Sequence, residues 1–322
     1  MTFVLIAGGL ALLLGGGEIL VRGAVALARS LGVSPLVIGL TVVAFGTSAP
    51  ELMVCVQAAL TGHPDIVLGN VVGSNIANTL LIVGASAIIL PLVVAPAVAR
   101  RDGSSLVIFT VLFVAICLSG VISRPLGGAL VLLLAGYTFW SFRAARKDNH
   151  GAGDTAEEAV EELGPIPHSP LVGVLLTLGG IAGVVIGADL LINGAVGIAR
   201  AAGVSEAVIG LTLIAFGTSL PELATSVMAA FRRHADLAIG NVIGSNMFNM
   251  LGIAGVTAMV SPVPVPDQVV GYDLWVLLGV TALLVLLVIA FGRISRPVGL
   301  AMIVAYCLYI FSLFGGGSAF VS

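Results

Sequence analysis

Long apolar stretches follow one another along this chain, and short polar segments separate them. A helix that crosses the hydrocarbon core of a membrane needs about 20 predominantly apolar residues, and nearly the whole sequence divides into stretches of that kind. One longer polar segment, at about 143–169, interrupts the series near the middle of the chain. The pattern predicts an all-α integral membrane protein.

One apolar stretch with a polar end occurs twice. Residues 39–52 read GLTVVAFGTSAPEL and residues 210–223 read GLTLIAFGTSLPEL, so that eleven of fourteen positions are identical. The glutamate of each copy lies 171 residues from its counterpart (222 − 51). A second pair of segments has the same separation, with GNVVGSNIAN at 69–78 and GNVIGSNMFN at 240–249. We therefore interpret the chain as two copies of one unit.

The boundaries of the two units follow from this offset. We place the first unit at 1–146, a polar linker at 147–170 and the second unit at 171–322. Each unit is expected to contain five spans, which we place near 2–28, 34–61, 66–92, 104–121, 125–145, 172–199, 205–231, 236–260, 271–292 and 296–314. Because five is odd, two units with the same chain direction must enter the bilayer from opposite sides. This is the inverted-repeat architecture of many secondary transporters, in which the binding site lies at the midplane.

Basic residues in the short loops predict the orientation of the spans, since cytoplasmic loops are enriched in Lys and Arg. On the side reached after odd-numbered spans, the basic residues are Arg29, Arg100, Arg101, Arg143, Arg146, Lys147, Arg232, Arg233, Arg293 and Arg296. The opposite side carries only Arg124 and Arg200. We expect the first side to be cytoplasmic, so that the acidic linker lies inside and both termini lie outside the cell membrane.

Composition narrows the class of protein further. Of the 322 residues, 59% are hydrophobic and 9% are charged, and the mean hydropathy is +1.18, whereas a soluble domain carries roughly 25% charged residues. The net charge of −3 implies no nucleic-acid partner, and nothing in the sequence implies a protein partner. Three cysteines match no metal-binding spacing, and we interpret them as packing residues. They are Cys55, Cys117 and Cys307.

Two carboxylates, Glu51 and Glu222, lie in these apolar stretches, each directly after a proline. An ionisable group at that depth costs at least about 2.5 kcal/mol and is a functional site by default. Proline removes a backbone donor and clashes with the preceding turn, so we expect the helices to unwind near Gly46–Pro50 and Gly217–Pro221. Unwinding would free backbone carbonyls such as that of Ala44. The sequence thus predicts broken helices at the midplane.

The duplicated segments offer oxygen atoms as ligands. Their hydroxyl groups belong to Thr47, Ser48, Ser74, Thr218, Ser219 and Ser245, and their side-chain amides to Asn75, Asn78, Asn246 and Asn249. Gly73 and Gly244 are candidate breaks in the helices that carry the second motif. No His and no Cys occurs among the candidate ligands, and an all-oxygen set suits hard cations such as calcium or sodium and not zinc or copper.

Other classes of protein share parts of this pattern. Proline kinks and buried Asn occur in ordinary membrane bundles, but the duplication of both motifs favours a site. A cation channel would carry a ring of oxygens from symmetric subunits, whereas the symmetry here lies within one chain. An intramembrane enzyme could use the paired carboxylates, yet no nucleophile, base or metal set accompanies them. We therefore expect no enzyme and no cofactor.

The duplicated G-T-S-x-P-E and G-N-x-x-G-S-N motifs resemble those of the cation/calcium exchanger superfamily, specifically the alpha repeats of prokaryotic sodium/calcium exchangers. The resemblance extends over almost the whole chain, and it implies an antiporter that exchanges sodium for calcium by alternating access at a shared midplane site. It also implies that Glu51 and Glu222 hold calcium with oxygens of Thr47 and Thr218. Sodium would share these ligands and add Ala44, Ser48, Ser74, Ala215, Ser219 and Ser245, with Asn78 and Asn249 at the central position.

Some details stay open beside this resemblance. Relatives often carry Asp at one central position, where this chain has Asn78 and Asn249, so the number of ions is open and potassium coupling is disfavoured. Proton/calcium exchangers usually carry G-N-x-x-E at the first motif, so sodium is favoured, and proton-coupled cation exchange is the alternative. Glu18 and Asp189 occupy matched places in the first helix of each unit. We interpret them as polar tethers or gate hinges, with direct ion binding as the alternative.

Overall fold

The computed structural model describes residues 2–94, 99–147, 169–201 and 217–315, and nearly all of them are helical. The helices of the first unit are α1 (Thr2–Leu31), α2 (Pro35–Thr47), α3 (Ala49–Leu60), α4 (Ile66–Ile89), α5 (Ser104–Cys117) and α6 (Arg124–Lys147). Those of the second unit are α7 (Pro170–Ala201), α8 (Leu220–Phe231), α9 (Ala235–Val260), α10 (Val269–Phe291) and α11 (Arg296–Gly315). Four short strands are β1 (Leu92–Val93), β2 (Val121–Ile122), β3 (Val263–Pro264) and β4 (Arg293–Ile294).

Seven of the described helices are long and apolar enough to cross a membrane: α1, α4, α6, α7, α9, α10 and α11. Helices α2 and α3 meet at a bend of 44°, and the pair together is long and apolar enough to be one further span. The prediction of an all-helical membrane protein is therefore confirmed. Residues 202–216, which belong to one further expected span, and most of the expected linker lie outside the described residues.

The break between α2 and α3 falls at a single residue. Ser48 has φ −83° and ψ 8°, and Pro50 lies in the first turn of α3, where a missing amide hydrogen costs nothing because that amide has no partner within the helix. Ser219, before α8, has nearly the same angles, φ −87° and ψ 3°. The backbone carbonyl of Ala44 accepts a hydrogen bond from the Ser48 amide at 3.0 Å. The expectation that this carbonyl is freed is therefore wrong, and the same oxygen also accepts a hydrogen bond from Thr47 Oγ1 at 3.3 Å.

Helices α4 and α9 form the centre of the fold, since 72% and 83% of the residues in their apolar stretches are buried, the largest shares among the seven long helices. Neither helix breaks at Gly73 or Gly244, contrary to the expectation from the sequence. Each instead widens into a π-helical turn, at Asn78–Ile82 in α4 and Phe248–Ile253 in α9. Gly244 has another role, because an added Cβ would collide with the backbone of Leu40 on α2. The glycine allows α2 and α9 to approach closely.

Short strands join the two units at two places. β1, which follows α4, pairs antiparallel with β4, which precedes α11, so that Leu92 faces Ile294. β2, which precedes α6, pairs with β3, which follows α9, so that Ile122 faces Val263. Each pair therefore joins the end of the third expected span of one unit (α4 or α9) to the start of the last helix of the other unit (α11 or α6). The two strand pairs are therefore equivalent positions of the repeat.

Two matched arginines reinforce these junctions. Arg296, at the start of α11, donates to the carbonyl oxygens of Ile88 and Ile89 at the end of α4, at 3.0 and 3.3 Å. Arg124, at the start of α6, donates to the carbonyl oxygen of Val260 at the end of α9, at 3.2 Å. The last carbonyls of a helix have no partner within that helix, so each arginine satisfies a helix end of the opposite unit.

Helices α1 and α7 pack along a seam of glycines. The glycines recur every seven residues, at 9, 16 and 23 in α1 and at 173, 180, 187 and 194 in α7. A Cβ at Gly9 would lie 2.8 Å from the carbonyl oxygen of Gly187, and one at Gly16 would lie 2.8 Å from the carbonyl carbon of Gly183. The two helices are antiparallel, and their backbones touch because small residues remove the side chains between them.

Candidate functional site

The glutamates at the two breaks, Glu51 and Glu222, are each held by a serine from the opposite unit. Ser48 Oγ donates to Glu222 Oε1 at 2.6 Å, and Ser219 Oγ donates to Glu51 Oε1 at 3.4 Å. The serine of each break therefore contacts the carboxylate that follows the other break. All four side chains are buried. The structure brings the two acidic residues of the duplicated motif into one site.

Both carboxylates lie deep in the protein, and no countercharge lies beside them among the residues that the structure describes. Glu51 and Glu222 are each 1% exposed, and the Oε2 atom of each has no hydrogen-bond partner within the described residues. In that part of the chain no basic side chain forms an ion pair with either. Burial of one charge costs several kcal/mol, and two like charges in one site repel each other. Bound positive charge, from a metal cation or from protons, stabilises such an arrangement.

Asn241 connects the first break to the second unit, and sequence reasoning did not single it out. Its Oδ1 lies 3.5 Å from Thr47 Oγ1, while its Nδ2 donates to Ser226 Oγ at 3.0 Å and to the backbone carbonyl of Glu222 at 3.5 Å. Thr47 Oγ1 also donates to the carbonyl of Ala44 at 3.3 Å. The signal that could have identified Asn241 is its invariant place in both copies of G-N-x-x-G-S-N.

The matched asparagine of the first unit, Asn70, has a different environment. Its Oδ1 accepts a hydrogen bond from the Cys55 thiol at 3.4 Å, and Cys55 occupies the position that matches Ser226. Asn70 is only partly buried. Cys55 and Cys117 are buried, as packing residues should be, whereas Cys307 is exposed on α11. The contact of Asn70 with Cys55 thus differs from the matched contact of Asn241 with Ser226, although the repeated sequence suggests that the two are equivalent.

The asparagines of the second motif form a chain of hydrogen bonds through Asn78 and Asn246, and the matched residues Asn249 and Asn75 do not form an equivalent chain within the described residues. Asn78 Nδ2 donates to Asn246 Oδ1 at 3.1 Å, and Asn246 Nδ2 donates to Thr79 Oγ1 at 3.0 Å. Asn75, the match of Asn246, donates instead to a carbonyl of its own helix at 2.6 Å. Within the described residues, Asn78 Oδ1 has no donor, and neither polar atom of the Asn249 side chain has a partner.

The other candidate ligands include three buried hydroxyl groups. Ser74, Ser245 and Thr218 are buried, and Ser245 Oγ has no hydrogen-bond partner in the described ranges. Ala215 lies outside the described residues. No cluster of three or more His, Cys, Asp or Glu occurs in the part of the chain that the structure describes. A cation held here would rely on hydroxyl, amide and carbonyl oxygens in addition to the two carboxylates, which is the ligand chemistry of hard cations.

The matched acidic residues of the first helices have unlike surroundings. Glu18 Oε1 accepts from Arg22 Nε at 2.7 Å, and Glu18 Oε2 accepts from Arg232 Nε at 2.6 Å. Asp189 is exposed on α7. Glu18 therefore ties α1 to the turn that follows α8, which agrees with the interpretation of this residue as a polar tether.

Several known proteins are similar to this chain over nearly its whole length. The profile of the family described as sodium/calcium exchanger protein matches residues 1–143 and 172–315. The chain is 39% identical to CaxA of Alkalimonas amylolytica over 319 residues, covering 97% of this chain and 98% of that protein. It is 31% identical over 345 residues to the sodium/calcium exchanger MaX1 of Methanosarcina acetivorans, covering 98% and 99%. Its fold resembles a solved structure of the sodium-calcium exchanger NCX_Mj, with a TM-score of 0.85, 32% identity and coverage of 97% and 98%.

Proposed function

We propose a function from one premise: the chain belongs to the family of sodium/calcium exchanger proteins. The protein is a secondary antiporter, and not an enzyme, that exchanges sodium ions for calcium ions across the membrane. The two kinds of ion occupy one site between the units in turn, and the site opens alternately to the two sides. Transport needs no cofactor, and its partners are the ions and the lipid bilayer.

The observation that carries this proposal is the reciprocal contact between serines and carboxylates of opposite units. Ser48 with Glu222 and Ser219 with Glu51 bring one acidic group from each unit to a shared position. Two carboxylates balance the charge of one calcium ion. Because calcium and sodium then compete for the same oxygens, occupancy by one excludes the other, and this exclusion couples their movements.

The ligand set proposed for this site follows the resemblance stated for the motifs. Calcium is held by Glu51 and Glu222 with oxygens of Thr47 and Thr218. Sodium uses the same residues together with Ala44, Ser48, Ser74, Ala215, Ser219 and Ser245, and Asn78 and Asn249 lie at the central position. Within the described residues, Oε2 of both glutamates and Oδ1 of Asn78 have no hydrogen-bond partner, which is in accord with this assignment.

The proposed architecture is ten spans in two inverted units, 1–146 and 171–322, with the linker 147–170 in the cytoplasm. Both termini then lie outside the cell membrane. This arrangement puts β1 and β4 at the cytoplasmic face and β2 and β3 at the opposite face. Paired strands must lie on the same side of a membrane, and both observed pairs meet that requirement.

Calcium flux into proteoliposomes tests the coupling. We expect radioactive calcium to accumulate when the vesicles are loaded with sodium and diluted into sodium-free medium, because sodium leaving by the exchanger drives calcium entry. A proton gradient of equal size should drive none. Accumulation with a proton gradient alone would identify the proton-coupled alternative, and calcium flux without any gradient of a second ion would identify a channel.

The site assignment is tested by removing one charge at a time. Glu51→Gln and Glu222→Gln should abolish sodium-driven calcium uptake, because the amide keeps the shape of the side chain and loses its charge. Asp273→Asn is the matched control, since Asp273 is a buried carboxylate in α10 outside the proposed site. It accepts a hydrogen bond from the Tyr309 hydroxyl at 2.9 Å. Wild-type uptake by either glutamine variant, in protein with a normal melting temperature, would contradict the assigned site.

A further inference from the structure

Thr79 lies next to a proposed ligand without being one. It is fully buried at the π-helical turn of α4, and its Oγ1 accepts a hydrogen bond from Asn246 Nδ2 at 3.0 Å. Asn246 in turn accepts from Asn78 Nδ2 at 3.1 Å. The three side chains form a relay that starts in the first unit, passes through the second and returns to the first.

The relay occupies the NH₂ end of the Asn78 amide and leaves its oxygen end available to a cation. A side-chain amide has an acceptor oxygen at one end and a donor NH₂ group at the other. With its NH₂ group bound to Thr79, Asn246 presents its oxygen to Asn78. Asn78 therefore donates to that oxygen from its own NH₂ group. The oxygen of Asn78 is then the free end, and it has no donor within the described residues.

The matched residues of the second unit form no such relay within the part of the chain that the structure describes. The residue that matches Thr79 is Met250, whose side chain offers no hydroxyl group. Asn75, the match of Asn246, is bonded within its own helix to the carbonyl of Val71. Asn249, the match of Asn78, has no hydrogen-bond partner in the described ranges, so nothing there fixes its amide orientation.

From this asymmetry we propose that Thr79 is a positioning residue, which sets the orientation of the Asn78 amide through Asn246 and so makes Asn78 the fixed oxygen ligand of the central position. This inference rests on the proposed ion-exchange function of the site. Asn249 supplies the adjustable amide of the same position. One rigid and one rotating amide allow a single site to accept ions of different charge and coordination.

Loss of the Thr79 hydroxyl should affect calcium more than sodium. Without that acceptor the Asn246 amide can turn over, and Asn78 then presents its NH₂ group to the cation. The interaction of an ion with a dipole is proportional to the charge of the ion, so the reversed amide penalises a divalent ion twice as much as a monovalent ion. A misfolded site would lower the maximal rate without such discrimination.

Thr79→Val tests the proposal, because valine has nearly the same shape and lacks the hydroxyl. We expect the calcium concentration for half-maximal uptake to rise about tenfold, which corresponds to one lost buried hydrogen bond. The half-maximal sodium concentration should rise less, and Thr79→Ser should restore both. Thr257→Val is the control, since Thr257 is equally buried on α9 and its hydroxyl has no partner in the described part of the chain.

Two results would overturn the proposal: an unchanged calcium half-saturation in Thr79→Val, or a serine variant as impaired as the valine variant. If the valine variant does not fold, Thr79→Ala is measured in its place. Calcium-dependent thermal stabilisation of the purified protein gives a second reading of affinity that needs no transport. Failure of the proposed function itself is distinguishable, because wild-type vesicles would then show no sodium-driven calcium uptake.

Discussion

Ser48 donates a hydrogen bond to Glu222 across the two units at 2.6 Å between Oγ and Oε1. The equivalent contact from Ser219 to Glu51 measures 3.4 Å, which is near the limit for a hydrogen bond. The two carboxylates therefore share one site but are not held equally. The carboxylate of the second unit is oriented by a short, charge-assisted bond, and that of the first unit is held more loosely.

This inequality predicts unequal effects of removing the two hydroxyls. Ser48→Ala should weaken calcium binding by about 1.5–3 kcal/mol, the usual loss for a hydrogen bond to a charged group. Ser219→Ala, its matched control in the repeat, should have a clearly smaller effect, because its bond is long. Half-maximal calcium concentrations for uptake into proteoliposomes measure both. Equal losses in the two variants would show that bond length in this conformation does not decide ligand orientation.

The glycine seam predicts opposite outcomes for two neighbouring positions of α1. A Cβ at Gly16 would lie 2.8 Å from backbone atoms of α7, whereas a Cβ at Gly15 meets nothing within 4 Å. Gly16→Ala should destabilise the protein by about 1–3 kcal/mol, the range for an overpacked contact. Gly15→Ala should leave the melting temperature in detergent unchanged or raise it, since alanine favours helix. A tolerated Gly16→Ala would mean that α1 and α7 are not packed backbone to backbone.

The two ion pairs of Glu18 predict a test of the tether between α1 and the turn after α8. Arg232→Gln removes the contact between helices, and Arg22→Gln removes only the contact within α1. We expect Arg232→Gln to lower the melting temperature more than Arg22→Gln does. In a Glu18→Gln background Arg232→Gln should have almost no further effect, because its partner is already gone. Additive losses in that double variant would exclude the tether.

The proposed orientation predicts which loops react with a reagent added outside the cell. In a variant without the three native cysteines, single cysteines would replace His63, Ser119 and Arg293, all of which are exposed. A maleimide that cannot cross the membrane should label the cysteines at 63 and 119 in intact cells. The cysteine at 293 should react only after the membrane is permeabilised. Labelling of 293 in intact cells would reverse the proposed topology.

Much of this fold could be predicted because it depends on properties that repeat in the sequence. Apolar length alone identified the seven long helices, and the separation of 171 residues between Glu51 and Glu222 placed both carboxylates at equivalent positions. The prolines identified the breaks. Their extent was overestimated, since Pro50 sits in the first turn of α3, where a kink at Ser48 is sufficient.

What could not be predicted are the differences between the two copies. The repeat makes Asn75 and Asn246 look equivalent, yet one bonds its own helix and the other bonds Thr79 of the opposite unit. Such differences arise from side-chain partners that lie far apart in the sequence. A single changed residue, Thr79 against Met250, is a weak signal in the sequence and has a clear effect on the contacts in three dimensions.

The crossed strand pairs and the arginines beside them have a mechanical consequence. They fasten α4 to α11 and α9 to α6, at places that the proposed topology puts on opposite membrane surfaces. Four helices clamped in this way form a stiff scaffold, which is expected to stay still during a transport cycle. The motion that uncovers the ions must then belong to the helices outside the scaffold. The contact of α1 with α7 is lined by glycines, so that no large side chains interlock there and the two helices can slide together past the scaffold.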